Sequence, residues 1–505
     1  MDKLSKFIKK LQSVVFEECS KTIKGIAAEY DVYPNSIQRY KDTFFFLTKL
    51  EGDKVLIIVG DDSFTENFSG EELHISGMKI KICEMSNQNC HGLRSIFSFM
   101  NPISHRTKKF TIGLGDRLGL ASAGHIRLVK NKDVFPVLAQ QSIREITLTA
   151  RNYDDVLCAA AWAVFQEGYT EGFGADGDHL KTKDEVKMAL EHGYTMITLD
   201  CSDHIGGRNG IMSKTVVDEK YYEIEDFRRK LLEFKYLDMK FKLKNGSIIE
   251  FTFESLKEAA VLYFKAIDFA ADVYNSLIVK CGRDIDFEMS VDETFTSTTP
   301  EAHFFVASEL FDADVRPISL APKFCGEFQK GIDYKGNIAQ FELEFAEHAE
   351  IAEHFGYKLS IHSGSDKFSI FPIIAEKTKG KVHIKTAGTN WLEALRVIAE
   401  INPSLFVNIY KYAVQSLSEA KKYYQVIVDE KSAPDITKLG KEQVSALLDI
   451  EESRQILHIT YGALLLAKDN TGKPLYKDSI YALLNDNEKL YYEKLAIHIG
   501  KHLPS

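Results

Sequence analysis

From about residue 109 onward, short apolar segments alternate with helical ones, and this rhythm constrains the fold more than any other feature of the chain. The strand candidates are FTIGLG (110–115), TEGFGADG (170–177), YTMITLD (194–200), DIDFEMSV (284–291), VRPISLA (315–321), YKLSIH (357–362), KVHIKT (381–386) and LFVNIYKY (405–412). Helical stretches follow most of them, such as DDVLCAAAWAVFQEG (154–168), TKDEVKMALEHG (182–193) and IAQFELEFAEHAEIAEHFG (338–356). Strands that alternate with helices lie parallel and are joined by crossovers. Eight of them predict an α/β chain built on a closed (β/α)₈ TIM-type barrel. The 505-residue length leaves room for additions.

These additions are read as an N-terminal α/β region over 1–105, an insertion over 205–283 after the third strand candidate, and a helical extension over 416–505. The catalytic barrel then occupies 106–415. The N-terminal region opens with Leu4, Phe7, Ile8, Leu11 and Val15 at three- and four-residue steps, one face of a docked helix. Strand-like KVLIIVG (54–60) and MKIKICEM (78–85) follow. Within the insertion, Asn245-Gly246 between two alternating runs predicts a hairpin.

Composition narrows the function. A formal net charge of −10 argues against nucleic acid, which requires a basic surface. No apolar run approaches the ~20 residues of a membrane span, and the start carries no signal-peptide core. The seven cysteines include no CxxC pair and read as reduced thiols of a cytoplasmic protein. Oligomeric state is left open, a homo-oligomer included. Walker, HExxH, GxSxG and EF-hand signatures are absent, and Gly113, Gly115 and Gly119 miss the dinucleotide spacing.

Active sites of such barrels gather at the C-terminal ends of the strands. Asp178-His179 in GADGDHLKT pairs a base with a metal-binding imidazole; the bland alternative is an aspartate capping the helix over Lys181–Glu185. His362 ends a clean strand before Ser363, Gly364, Ser365 and Asp366, which suits a metal ligand. In DFEMSVDET, one strand face carries Asp286, Glu288 and Asp292. Barrel strands wrapped by helices face outward with their apolar side, so these acids point at the lumen. Glu288 is the choice of acid/base partner, with Glu293 behind it. Glu327, in a loop with Lys323, Gln329 and Lys330, completes an N/N/O metal set with the two histidines. Arg117, His125 and Lys385 are candidate substrate grips, a salt-bridged arginine being the alternative for Arg117. His303 reads as a helical, structural histidine.

Taken together, GLGDRLGLASAGHI, EGFGADGDHLKT, SVDETFTSTTPEAHFF, APKFCGEFQKGIDY and SIHSGSD resemble the tagaturonate epimerase family. The resemblance runs from about residue 110 to beyond 390. It implies interconversion of D-tagaturonate and D-fructuronate with a divalent metal (Mn, Co, Ni or Zn). It also implies Asp178 as proton acceptor, a separate donor for which Asp286 and Glu293 rival Glu288, and His179 and His362 as ligands. The third ligand is taken as Glu327, with Gln329 as its rival. A retro-aldol route fits the chemistry. The residues leave open a metal-dependent aldolase of sugar acids or sugar phosphates, and a non-catalytic sugar-acid-binding protein.

Overall fold

The computed structural model describes residues 2–13, 25, 27–207, 210–424, 426–436 and 439–504. Val15 and Cys19 lie outside them, and the six described cysteines are free thiols. Helix Asp2–Ser13 buries Leu4, Phe7, Ile8 and Leu11 against Phe46, Ile57, Val59 and Ile80. Each such side chain contributes about 1.5–3 kcal/mol on burial. The sheet below is antiparallel, in the order β1-β2-β3-β5-β4. Its strands are β1 (Gln38–Tyr40), β2 (Thr43–Leu50), β3 (Asp53–Val59), β4 (Glu71–Ile75) and β5 (Met78–Glu84).

The barrel is closed and parallel. Its first four strands are β6 (Phe110–Gly113), β7 (Phe135–Ser142), β8 (Gly174–Leu180) and β9 (Met196–Asp200). A two-stranded hairpin, β10 (Lys240–Lys242) and β11 (Ile248–Glu250), interrupts the series. Then come β12 (Asp286–Ser290), β13 (Ser319–Ala321), β14 (Lys358–Ile361) and β15 (Val382–Lys385), which pairs with β6. Closure removes every exposed edge.

Two differences from the sequence reading stand out. Residues 405–412 are not a strand but part of helix Pro403–Gln415. Pro403 starts it behind the Asn402 cap, and buried Phe406, Ile409, Tyr410 and Ala413 follow the helical period. The strand missed is β7, whose Pro136 and two glutamines disguise it. The 205–283 insertion therefore follows the fourth strand. It contains helices Lys214–Glu223, Asp226–Tyr236 and Phe253–Val273, with Gly246 at φ +95° in the turn of the hairpin.

Ile197, Leu199, Phe287, Met289, Leu359, Ile361, Val382 and Ile384 alternate along their strands and join the apolar core. The lumen, by contrast, is polar. At its lower end Asp286 accepts hydrogen bonds from Ser104 Oγ and the His105 N–H, both at 2.7 Å, tying the segment before β6 across the barrel floor. Buried Lys358 donates to His105 there, and burial lowers its pKa to about 7. Asp286 is thus a structural residue at the far end from the strand C-termini. Among the described residues no helix is long and apolar enough to cross a membrane. His303 sits in helix Pro300–Asp312, bonded to His348 and Tyr357, a structural histidine as read.

Candidate active site

Alternation along β8 sends Asp176 and Asp178 into the lumen, and on a regular strand His179 would point the other way. A bulge prevents that. Gly177 pairs with Ile197 while Leu180 pairs with Leu199, so β8 holds one extra residue. His179 takes up the irregularity at φ +56°, a conformation that costs a non-glycine residue about 1–3 kcal/mol and concentrates at functional sites. Its ring lies 4.7 Å from that of His362, centroid to centroid. The helix that follows is capped by Thr182 and Glu185, so Asp178 is free of the capping role.

His179, His362 and Asp292 bring three ligand atoms within 4.8 Å of one another. His179 Nδ1 lies 2.8 Å from Asp178 Oδ1, and His362 Nε2 lies 2.7 Å from Glu288 Oε1. Each ring is thereby oriented by a carboxylate, which leaves its other nitrogen available, as in metal-bound histidines. His362 Nδ1 is buried, 3.3 Å from Asp292, and makes no hydrogen bond. Burial would lower the His362 pKa, yet Asp292 and the bond to Glu288 push it up to about 10. Raised pKa values on two touching imidazoles would set like charges side by side. A divalent cation between neutral rings removes that conflict, so the residues fit a metal. Asp292, not Glu327, is the carboxylate at this cluster. Glu327 is exposed, paired with Lys335 through backbone and bonded to Gln329 Nε2 at 2.6 Å. Asp292 was visible in the sequence as a residue just past a strand end, but the register of that strand was not.

Below the cluster, Lys385 Nζ reaches Asp178 at 2.7 Å, Asp176 at 3.0 Å and Glu288 at 3.1 Å. The three N–H groups of its ammonium reach Asp176, Asp178 and Thr198, so in this arrangement it holds the acids together. Burial would raise the Asp178 pKa, but His179 and Lys385 hold it well below the usual range. Asp176 is raised to about 6 by burial, against the pull of Lys385. Glu288 is fully buried and also takes Ser319 Oγ at 2.5 Å. It also contacts His362 Nε2, so the carboxylate is engaged by the ring in this structure. Glu293 is exposed, 4.0 Å from Lys181.

Arg117 and His125 are not part of the His179–His362–Asp292 cluster. Arg117 pairs with Glu145 at 2.9 Å, donates to the His458 carbonyl and stacks 3.7 Å from the Tyr461 ring centre. The salt-bridged alternative is what the structure displays, joining the β6 loop to the C-terminal helices. His125 sits in helix Ser122–Val129, in the outer helix layer, with neither ring nitrogen bonded and its pKa lowered to about 4 by burial. Asp116 likewise serves the backbone, accepting from the N–H groups of Gly119 and Ala121. Because Arg117 and Glu145 are 3% and 7% exposed, Arg117→Met would strand a buried carboxylate. The expected result is a loss of stability of about 3–5 kcal/mol, read as a lower denaturation midpoint.

Sequence reading also missed Gln140, at the end of the overlooked β7. Its Nε2 lies 3.5 Å from Asp178 Oδ2, and its Oε1 is buried without a partner. The C-terminal extension was missed as a contributor too: Gln455 Nε2 bonds Gln329 Oε1 at 2.5 Å, and His458 lies against Gly331 and Gly388. A Cβ on Gly388 would fall 1.8 Å from His458 Nε2, so that position requires glycine.

A closed parallel barrel with a carboxylate-backed histidine pair and an aspartate past the ends of its strands defines the class: a (β/α)₈-barrel enzyme with a candidate metal centre. The chain belongs to the tagaturonate epimerase family, whose profile matches residues 33–505. A Thermotoga maritima protein named tagaturonate/fructuronate epimerase is 40% identical over 475 residues, covering 94% of this chain and 96% of that one. The crystal structure of fructuronate-tagaturonate epimerase UxaE from Cohnella laeviribosi complexed with one glycerol superposes with a TM-score of 0.91 at 45% identity, over 96% of this chain and 98% of that one. Its native form matches with the same TM-score and coverage at 44% identity.

Proposed function

We propose that this chain interconverts D-tagaturonate and D-fructuronate by a divalent-metal-dependent retro-aldol route. The observation that carries the reading is the Asp178–His179 pair, bulged into contact with His362 and Asp292 in a member of this family. His179, His362 and Asp292 would hold the ion, which when bound supplies Lewis-acid stabilisation of charge developing on the substrate ketone.

With the ketone at C2 and the carboxylate at C6, the two keto acids differ only at C4. Removal of a proton α to the ketone cannot invert that carbon, but C3–C4 cleavage can. Asp178 takes the C4 hydroxyl proton. The C3–C4 electron pair moves toward the ketone, leaving a three-carbon enediolate and an aldehyde that carries the carboxylate. The aldehyde turns its other face to C3, the C–C bond re-forms, and Asp178 returns the proton to the new C4 oxygen. No electrons or protons are gained or lost overall. Lys385 keeps Asp178 ionised for the first step, and Glu288 fixes the His362 ring.

The test is chelator-stripped enzyme with Mn²⁺, Co²⁺, Ni²⁺ or Zn²⁺ restored singly and D-tagaturonate followed by NMR. A metal-dependent mixture of the two keto acids, with mass balance preserved, is the expected result. Accumulating aldehyde would identify an aldolase, and binding without turnover at any metal a non-catalytic protein.

A further inference from the structure

Retro-aldol epimerisation makes a special demand on whatever holds the substrate carboxylate. The carboxylate rides on the fragment that must turn over, so its grip has to retain the aldehyde and still let it swing. Neither cation expected from sequence meets the demand, since Arg117 is neutralised by Glu145 and Lys385 by three acids.

Lys330 is different. It follows β13 in the loop that packs under the C-terminal helices, and its Nζ donates to Ser363 Oγ at 2.7 Å, one residue beyond His362. No ion pair to Lys330 is found among the described residues. Arg117 and Arg144 are charged neighbours of it, with Glu145 and Asp292 the acids that face it from the other elements. A half-buried ammonium without a counter-ion is costly unless an anion completes it. Packed on the next residue, Gly331, is His458, 2% exposed, whose Cδ2 lies 3.3 Å from where a Cβ there would be. Its Nδ1 is buried and unpartnered. Burial, with Arg117 and Lys330 nearby, keeps the ring neutral, and a neutral imidazole with a free nitrogen can donate one hydrogen bond.

We infer that Lys330 and His458 form the subsite for the substrate carboxylate, on the Ser363 side of the metal cluster. This rests on the epimerase reading for the identity of the anion. Lysine suits the task better than arginine. Its ammonium is a point charge with three rotatable donors, which lets a carboxylate pivot, whereas a guanidinium fork fixes both oxygens in one plane. The C-terminal extension thus supplies a binding residue to the barrel.

Lys330→Met and His458→Gln should each raise KM for D-fructuronate, Lys330→Met by about 10–100-fold for a lost charge-assisted bond. Turnover of neutral D-fructose, measured on the same metal-loaded samples, should change by less than about threefold. Lys330→Arg should recover binding but not kcat, because the fork retains the charge and resists the pivot. Equal losses on both sugars, or Lys330→Met with unchanged KM for the uronate, would overturn the subsite and leave the epimerase reading standing. Calorimetric titration of D-fructuronate into chelator-treated protein separates the two ideas. Lys330-dependent binding by a wild-type protein that turns over neither sugar would keep the subsite and sink the epimerase. Circular dichroism melts and metal content of each variant exclude misfolding as the cause.

Discussion

Asp178→Asn is expected to retain the metal and lose turnover by about 10²–10⁴-fold, the usual worth of a positioned general base. The amide oxygen can still accept from Lys385 and from His179 Nδ1, which now lie 2.7 and 2.8 Å from Asp178 Oδ1. Ring orientation at His179 is therefore preserved while the capacity to take the C4 hydroxyl proton is lost. Loss of one negative charge beside the proposed metal site would weaken metal affinity, so occupancy has to be measured on the assayed sample. The decisive quantity is kcat at full occupancy. A metal-loaded Asp178→Asn enzyme with near-normal kcat would remove Asp178 from the proton path, and the retro-aldol route with it.

His362→Ala should abolish both metal retention and activity, and Asp292→Ala should do nearly as much. Removing an outer-shell partner already costs about 10–100-fold in metal affinity; removing a ligand should cost more. Glu327→Ala is the internal comparison, since Glu327 is exposed and, among the described residues, bonded within its own loop. Metal titration of the three variants, by elemental content after gel filtration or by competition with a chromophoric chelator, gives the ranking. Strong metal loss in Glu327→Ala with retention in Asp292→Ala would restore the ligand set expected from sequence. Full occupancy in His362→Ala would dismiss the cluster as a metal site altogether.

The barrel was legible because its strands are apolar on the side that faces the helices, and that periodicity is local. Glu288 could be assigned to the lumen from alternation with Phe287 and Met289 alone, and Asp178, His179 and His362 to the strand ends from their place after apolar runs. Amphipathicity gave Leu4, Phe7, Ile8 and Leu11 their buried face in the same way. Two local signals misled. An apolar run at 405–412 fits either period when short, and Asn402-Pro403 decides for helix. In β7, Gln140 and Gln141 look like a polar break, yet both are buried, Gln140 beside Asp178 of the neighbouring strand.

What tertiary structure alone decided are the relations between distant segments. The bulge that turns His179 toward His362 exists only in the register of β8 against β9. Asp292 rather than Glu327 lies with the two histidines, because the chain just past β12 brings it within reach of His362 while Glu327 pairs with Lys335 inside its own loop. Arg117 finds Glu145, and Lys385 finds three acids, through ion pairs that span 28 to 209 residues of chain. Charge pairing carries no periodicity, so composition reveals which cations exist but not which are already neutralised. Lys330 was one basic residue among many in the sequence; only the fold sets it without an ion pair among the described residues, near a histidine 128 residues further along the chain.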